Sequence, residues 1–264
     1  MKILSGRELA GFIKERQAHQ VASLEKKPKL LILRDNNDPV IQKYVNLKKA
    51  YAKDLGIITE DFYTNSIEEI ATRIKKANED KNVNGIIIQL PLIHQKDTET
   101  LCNLISPTKD VDGLGEHAAY DSATATAINW LLTGFDINLN NQKIAIVGRG
   151  KLVGAPLYRI FKSSNLNVNL FHRGSDLTKL KQYDIIITAT GVPGLIVDSM
   201  VKPGASIVDA GTASENGVLK GDIDAKVRER NDLNAITPTL GGVGPLTISC
   251  LFDHVIESAI RSQQ

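Results

Sequence analysis

Cysteine is scarce. The 264 residues carry two, Cys102 and Cys250, far apart and without Cys-x-x-Cys spacing. This argues against a disulfide scaffold or a thiolate metal site and points to a reducing compartment. An excess of either charge is also missing. Thirty-two Lys and Arg against 30 Asp and Glu leave a formal net charge of +2, which makes no electrostatic case for nucleic acid or a membrane surface as the main partner. No uninterrupted apolar run approaches the roughly 18 residues a bilayer span needs. The opening Met1-Lys2-Ile3-Leu4-Ser5-Gly6-Arg7-Glu8 is too short in apolar length for a secretory signal. Internal repeats and low-complexity tracts are absent too. What remains is 42% hydrophobic and 23% charged, which excludes collagen-like, disordered and coiled-coil classes. At about 150 residues per domain, the length fits one large domain or two modest ones. The expectation is a cytoplasmic enzyme or ligand-binding module.

Short apolar runs alternate with helix-period segments. Lys29–Leu33, Gly85–Leu90, Lys143–Val147, Val168–Phe171, Asp184–Thr188 and Ala205–Asp209 read as strands covered on both faces. Ser5-x-x-Glu8 and Ser66-x-x-Glu69 resemble capping boxes that open amphipathic helices. Repeated strand–helix–strand units imply right-handed crossovers and parallel sheets, so the fold class is α/β. A seam is expected near Thr133-Gly134-Phe135-Asp136, after which strands and helices begin afresh. The segment Gly244 to Gln264 carries Leu246, Ile248, Leu251, Phe252, Val255, Ile256 and Ile260 at helical spacing. It is expected to form a long helix returning to the first domain. The organisation expected is therefore a substrate domain over 1–135, completed by 245–264, and a dinucleotide domain over 136–244.

After the strand ending at Val147 come Gly148-Arg149-Gly150-Lys151-Leu152-Val153-Gly154. Glycines between a strand and a helix allow a tight turn and close backbone approach to a pyrophosphate, which the helix N-terminus then receives. A plain structural turn has the same pattern, but the strand context favours the dinucleotide reading. The end of the next strand reads Phe171-His172-Arg173-Gly174-Ser175, with no Asp or Glu to bond a ribose 2′-hydroxyl. Arg173, with Arg149, would instead attract a 2′-phosphate. The cofactor expected is NADP, against the alternative that Arg173 is a solvated loop cation.

Tyr44 and Lys48 are four apart in a helical stretch and share a face. A lysine works as acid or base near neutrality only when its pKa is lowered; spacing alone favours an exposed Lys beside a half-buried Tyr. Gln89 closes an apolar strand just before Leu90-Pro91-Leu92, where a sheet's carboxyl edge places ligands, and a Lys ammonium is a candidate partner for a buried amide there. Lys109-Asp110-Val111-Asp112-Gly113 reads by itself as a solvated turn. His94, His117, His172 and His254 show no metal-ligand spacing, so no metal is expected, and these histidines are placed at the surface or behind the residues that touch ligand.

Together these segments resemble the bifunctional methylenetetrahydrofolate dehydrogenase/methenyltetrahydrofolate cyclohydrolase (FolD) family. The match runs over nearly the whole chain. It rests on Tyr44-Val45-x-x-Lys48, Gln89-Leu90-Pro91-Leu92, Lys109–Gly113, Gly148-Arg149-Gly150-x-x-Val153-Gly154-x-Pro156, Ala189-Thr190-Gly191-x-Pro193-Gly194, Lys202–Ala205 and Gly241–Thr247. The resemblance implies two α/β domains with parallel sheets and a cleft between them, the second domain of Rossmann type. It implies a homodimer that oxidises 5,10-methylenetetrahydrofolate with NADP and hydrolyses the methenyl product to 10-formyltetrahydrofolate. Lys48 would serve the attacking water, Gln89 would orient Lys48, Tyr44 would stack on substrate or support Lys48, and Asp112 would bond the pterin amino-pyrimidine edge. Substrate contacts extend to Leu90 and to Gly241, Gly242, Val243, Gly244 and Pro245. Cofactor contacts are implied at Gly148, Arg149, Gly150, Val153, Gly154, Thr190 and Thr212, beside Arg173. The chain departs from the family pattern at several places. Ile41 and Gly150 stand where a Ser is usual, Ser122-Ala123-Thr124-Ala125 replaces Pro-Cys-Thr-Pro, Leu240 replaces a Pro, and Leu114–Tyr120 is shortened. Two alternatives stay open: a dehydrogenase without the second activity, and a non-catalytic dinucleotide-binding paralogue.

Overall fold

The computed structural model describes residues 1–211, 213–215 and 218–263. By its packing the chain divides into two compact units, Met1–Ala10 with Thr124–Thr247, and Gly11–Ala123 with Ile248–Gln264.

In the unit built on Gly11–Ala123, β2 (Lys29–Arg34) lies between β3 (Ile58–Tyr63) and β4 (Gly85–Ile88) in a parallel sheet. Leu30, Leu31, Ile32 and Leu33 are all fully buried, which is why β2 reads as a continuous apolar run rather than an alternating one. β3 gives no such signal, because as an edge strand it is half exposed and its Glu60 and Asp61 pair with Lys29 and Arg34. Four helices surround this sheet: α1 (Gly6–Ala22, shared with the other unit), α2 (Pro39–Leu55), α3 (Ile67–Glu79) and α4 (Thr98–Leu104). α2 starts as helix chemistry requires. Asp38 accepts the Val40 N–H at 2.8 Å, and Pro39 occupies the first turn, where its missing N–H costs nothing. α2 ends at Gly56, whose φ of 76° suits a left-handed cap. On α3, Ser66 accepts the Glu69 N–H at 3.3 Å, while Glu69 takes the Thr64 hydroxyl instead of closing the box. Ile70, Ile74 and Ala77 of α3 pack with Leu31, Leu33, Ile86 and Ile88 of the sheet.

The unit also takes residues 248–263 of the last helix, which spans Val243–Gln263. Gln17 donates to the Ser249 carbonyl at 2.8 Å, Tyr51 donates to Gln17 at 2.8 Å, and the Tyr51 and Phe252 rings stack at 5.3 Å. By length and composition this helix is apolar enough to cross a bilayer, yet Leu251, Phe252, Val255, Ile256 and Ala259 are buried inside the protein.

The other unit holds a six-stranded parallel sheet. Its strands are β1 (Lys2–Ile3), β5 (Ile144–Val147), β6 (Val168–Phe171), β7 (Ile185–Thr188), β8 (Ser206–Asp209) and β11 (Ala235–Ile236), in the order β1-β11-β8-β7-β5-β6. β9 (Ala213–Glu215) and β10 (Val218–Lys220) form a separate antiparallel pair. Helices α5 (Ala123–Gly134), α6 (Gly154–Ser163) and α7 (Ala225–Arg228) complete the unit, and the long last helix is α8. Strand order reverses at β5, with β6 on one side and β7 on the other. Nucleotides bind at such a switch point, outside the carboxyl ends of the strands. The seam expected near Thr133–Asp136 falls earlier. β1 adds to the sheet beside β11, and Leu9 lies so close to Gly134 that an added Cβ would sit 2.6 Å from its Cδ1.

Candidate active site

α2 carries Tyr44 and Lys48 one turn apart on the same face, both half-buried. Gln89 follows β4 directly. Its amide N–H bonds the Leu33 carbonyl at 2.8 Å, and its side chain is almost wholly covered at 6% exposure. Lys48 Nζ donates to Gln89 Oε1 at 2.6 Å, and Gln89 Nε2 donates to the Leu90 carbonyl at 3.0 Å. The amide therefore presents its oxygen to the lysine, because its nitrogen is already engaged.

Asp112 reaches the same region through a parallel bridge between Asp110 and Ile86 of β4. The loop that carries it is heavily tied. Lys109 Nζ donates to the carbonyls of Ala77, Asn78 and Asp80 at 2.8, 2.9 and 2.8 Å, closing the C-terminal end of α3. The Asp110 carboxylate collects the N–H groups of Gly113, Leu114 and Gly115 at 3.1, 3.1 and 2.7 Å. Gly113, with φ of 69°, makes a turn that disfavours other residues.

The electrostatics follow from burial. Loss of water lowers the Lys48 pKa below the ordinary lysine value, and the charge of Asp112 partly opposes that shift. Loss of water raises the Asp112 pKa, and Lys48 and His254 pull it back. Lys48 is thus a lysine whose neutral amine becomes accessible at lower pH than usual. Asp110 is pushed up to about 6, mainly by burial, despite its three N–H donors.

In the other unit, the turn after β5 is shaped by its glycines. Gly148 has φ of 109°, and a Cβ there would stand 2.5 Å from the Ala189 carbonyl oxygen; a Cβ on Gly154 would stand 1.8 Å from the Gly148 carbonyl oxygen. The cradle admits no side chain at either place. α6 then begins at Gly154 after Val153, which supplies no side-chain cap, and the Ala155 N–H donates to the Gly150 carbonyl at 3.1 Å, which ties the turn to the helix start. Arg149 and Arg173 are exposed at the ends of neighbouring strands β5 and β6. Beside the turn, Asp222 accepts the Thr188 hydroxyl at 2.6 Å and the Thr190 N–H at 2.7 Å, which fixes the end of β7. At the start of α8, Gly241 has φ of 86° and its carbonyl accepts the Arg7 N–H at 3.0 Å. Among the described residues, no three His, Cys, Asp or Glu side chains group as a metal site.

Residues 122–263 match the NAD(P)-binding domain of tetrahydrofolate dehydrogenase/cyclohydrolase, and residues 4–112 match its catalytic domain. The bifunctional protein FolD of Staphylococcus aureus is 35% identical, with 97% of this chain and 95% of that protein covered. The bifunctional FolD crystal structure from Campylobacter jejuni superposes with a TM-score of 0.92 at 29% identity, covering 99% of both chains. The Trypanosoma brucei FolD structure, complexed with NADP cofactor and inhibitor, gives 0.90 at 26% identity over 98% and 97%. This chain belongs to the tetrahydrofolate dehydrogenase/cyclohydrolase family.

Against that family, the residues named from the sequence fall into two groups. Tyr44, Lys48, Gln89, Leu90 and Asp112 are brought together in one unit, with the Leu90 side chain packed on the core and its carbonyl facing Gln89. Gly148, Arg149, Gly150, Val153, Gly154, Arg173 and Thr190 gather round the β5 turn of the other, which also carries Gly241–Pro245. The Val243 side chain is buried, so of that residue the backbone is what a ligand can meet. Thr212 lies outside the described residues. The Asp110 cradle and the Lys109 cap escaped sequence reasoning, whereas His254, expected at the surface or behind the residues that touch ligand, is buried. The first two are written in the Lys109–Gly113 motif itself, but only its tertiary neighbours separate them from a solvated turn.

Proposed function

We propose that this chain oxidises 5,10-methylenetetrahydrofolate with NADP and hydrolyses the resulting methenyl compound to 10-formyltetrahydrofolate. The observation that carries the reading is the 2.6 Å contact between Lys48 Nζ and Gln89 Oε1, made by a lysine whose pKa is lowered. In the hydrolytic step a water attacks the methenyl carbon. Lys48, as the neutral amine, takes one proton from that water at Nζ and returns it to the folate nitrogen as the ring carbon–nitrogen bond breaks, while the second proton of the water leaves to solvent as the formyl carbonyl forms. Gln89 holds Lys48 in place by accepting its N–H, Tyr44 flanks it on the substrate side, and Asp112 accepts the donors of the amino-pyrimidine edge.

The glycine cradle at Gly148 and Gly154 and the two exposed arginines fit a dinucleotide with a 2′-phosphate. NADP, when bound, supplies the hydride acceptor. The chain's part in that step is orientation, because the folate nitrogens already stabilise the cation that forms. The backbone of Gly241–Pro245 offers close approach to substrate. The working form is a cytoplasmic homodimer, a reading supported by family resemblance and checked by sedimentation of the purified protein. Near-balanced charge favours a small folate partner over nucleic acid or membrane.

Separate assays test the proposal: NADPH formation from methylenetetrahydrofolate, and disappearance of methenyltetrahydrofolate without NADP. Lys48→Met is expected to slow hydrolysis by about 100-fold or more, the usual worth of a general base. Unchanged hydrolysis in that variant removes Lys48 from the mechanism.

A further inference from the structure

The site contains a histidine that the mechanism above does not use. His254 sits on α8 with 8% of its surface exposed. Its Nδ1 lies 2.8 Å from the carbonyl oxygen of Val111, the residue just before Asp112. A carbonyl only accepts, so Nδ1 carries the proton and donates. The Tyr120 ring stacks on the imidazole at 4.6 Å and 20°. Tyr120 ends the segment Leu114–Tyr120, which departs from the family pattern. On the far side of the carboxylate, the Asp112 carbonyl accepts the Ala123 N–H at 3.2 Å. The backbone is thus held immediately before and after Asp112.

We infer that His254 is a positioning residue for Asp112, its bond to Val111 and its stack on Tyr120 aiming the carboxylate at the amino-pyrimidine edge of the pterin. The inference rests on the folate reading above and adds to it a residue that never touches substrate. The groups around His254 agree with this role. Asp112 and Tyr120 face it from the loop, Lys48 on α2 acts on it through Asp112, and Glu257 and Arg261 lie near Tyr120 from α8.

Two substitutions separate positioning from mere packing. Asparagine keeps an N–H at the place of Nδ1 and has no ring to stack, whereas leucine fills the space with no donor. In His254→Leu the KM for methylenetetrahydrofolate is expected to rise by about tenfold, an affinity loss of about 1.4 kcal/mol. The kcat and the KM for NADP should stay within about twofold, since the loss is one of uniform substrate binding. His254→Asn should recover most of the folate KM. Amide hydrogen exchange at residues 111–115 needs no substrate and reads the clamp directly: faster in His254→Leu, restored towards wild type in His254→Asn. An unchanged folate KM and unchanged exchange in His254→Leu overturn the inference, as does an equal rise in both KM values. If the wild-type protein turns over no folate, the functional reading falls, and the exchange pattern alone then decides for or against the clamp.

Discussion

Gly148, Gly150 and Gly154 look alike in the sequence, but only Gly148 and Gly154 are held to glycine by their surroundings. At Gly148 and Gly154 an added Cβ meets backbone oxygen at 2.5 and 1.8 Å, whereas at Gly150 it meets nothing within 4 Å. The usual family Ser is therefore absent from Gly150 without a steric reason. Gly150→Ser is expected to add one phosphate donor and lower the KM for NADP by about fivefold, the worth of one net hydrogen bond of about 1 kcal/mol. Steady-state kinetics at fixed folate read the change, and a raised KM would show that the hydroxyl does not reach the anion. The Lys48–Asp112 pair makes a signed prediction. Burial lowers the lysine pKa and the aspartate opposes it, so removing that charge in Asp112→Asn lowers it further. The amine then loses its proton at lower pH, and the acid limb of the hydrolysis pH profile moves to lower pH. A shift to higher pH contradicts the assignment of that limb to Lys48.

Among the elements, the loop after α4 is ordered in part by a buried ionisable group, Asp110. Asp110 is held at about 6, above the ordinary carboxylate value of 3.8, by burial. A raised carboxyl pKa favours the folded state while the group is protonated. That contribution is complete below about pH 3.8 and is lost as pH rises through about 6. Asp110→Asn removes the titration, so its thermal midpoint should fall less between pH 5 and pH 7.5 than that of the wild type. Melting curves at the two pH values check this, and parallel slopes would rule the Asp110 account out. β3 teaches a different lesson about elements. Its charged residues hide it from hydrophobic patterning, and its place as an edge strand is what lets Glu60 and Asp61 stay charged and paired.

For the whole molecule, the two units carry separate ligand chemistries, and mass action makes that visible. A ligand that binds only the folded state stabilises it by about 2.7 kcal/mol at 100 times its Kd. NADP should therefore raise the melting temperature of the wild type, and Gly154→Ala should abolish the rise while leaving the response to a folate analogue. Loss of both responses in that variant would mean a general fold defect. Several features of the protein could be read before any coordinates. The buried strands β2, β4 and β5–β8, the helices carrying Lys48 and the glycine turn, and the family itself all rest on local patterns: apolar runs, helical spacing and short motifs. Such patterns are legible because neighbouring residues share one backbone geometry. The Lys48–Gln89 partnership was an expectation of the sequence, and the fold supplied only its geometry across 41 positions; tertiary structure alone decided that β1 joins the six-stranded sheet and that His254 reaches Val111, 143 positions away. These contacts depend on water being excluded from groups that packing brings together, and no stretch of chain states its distant neighbours.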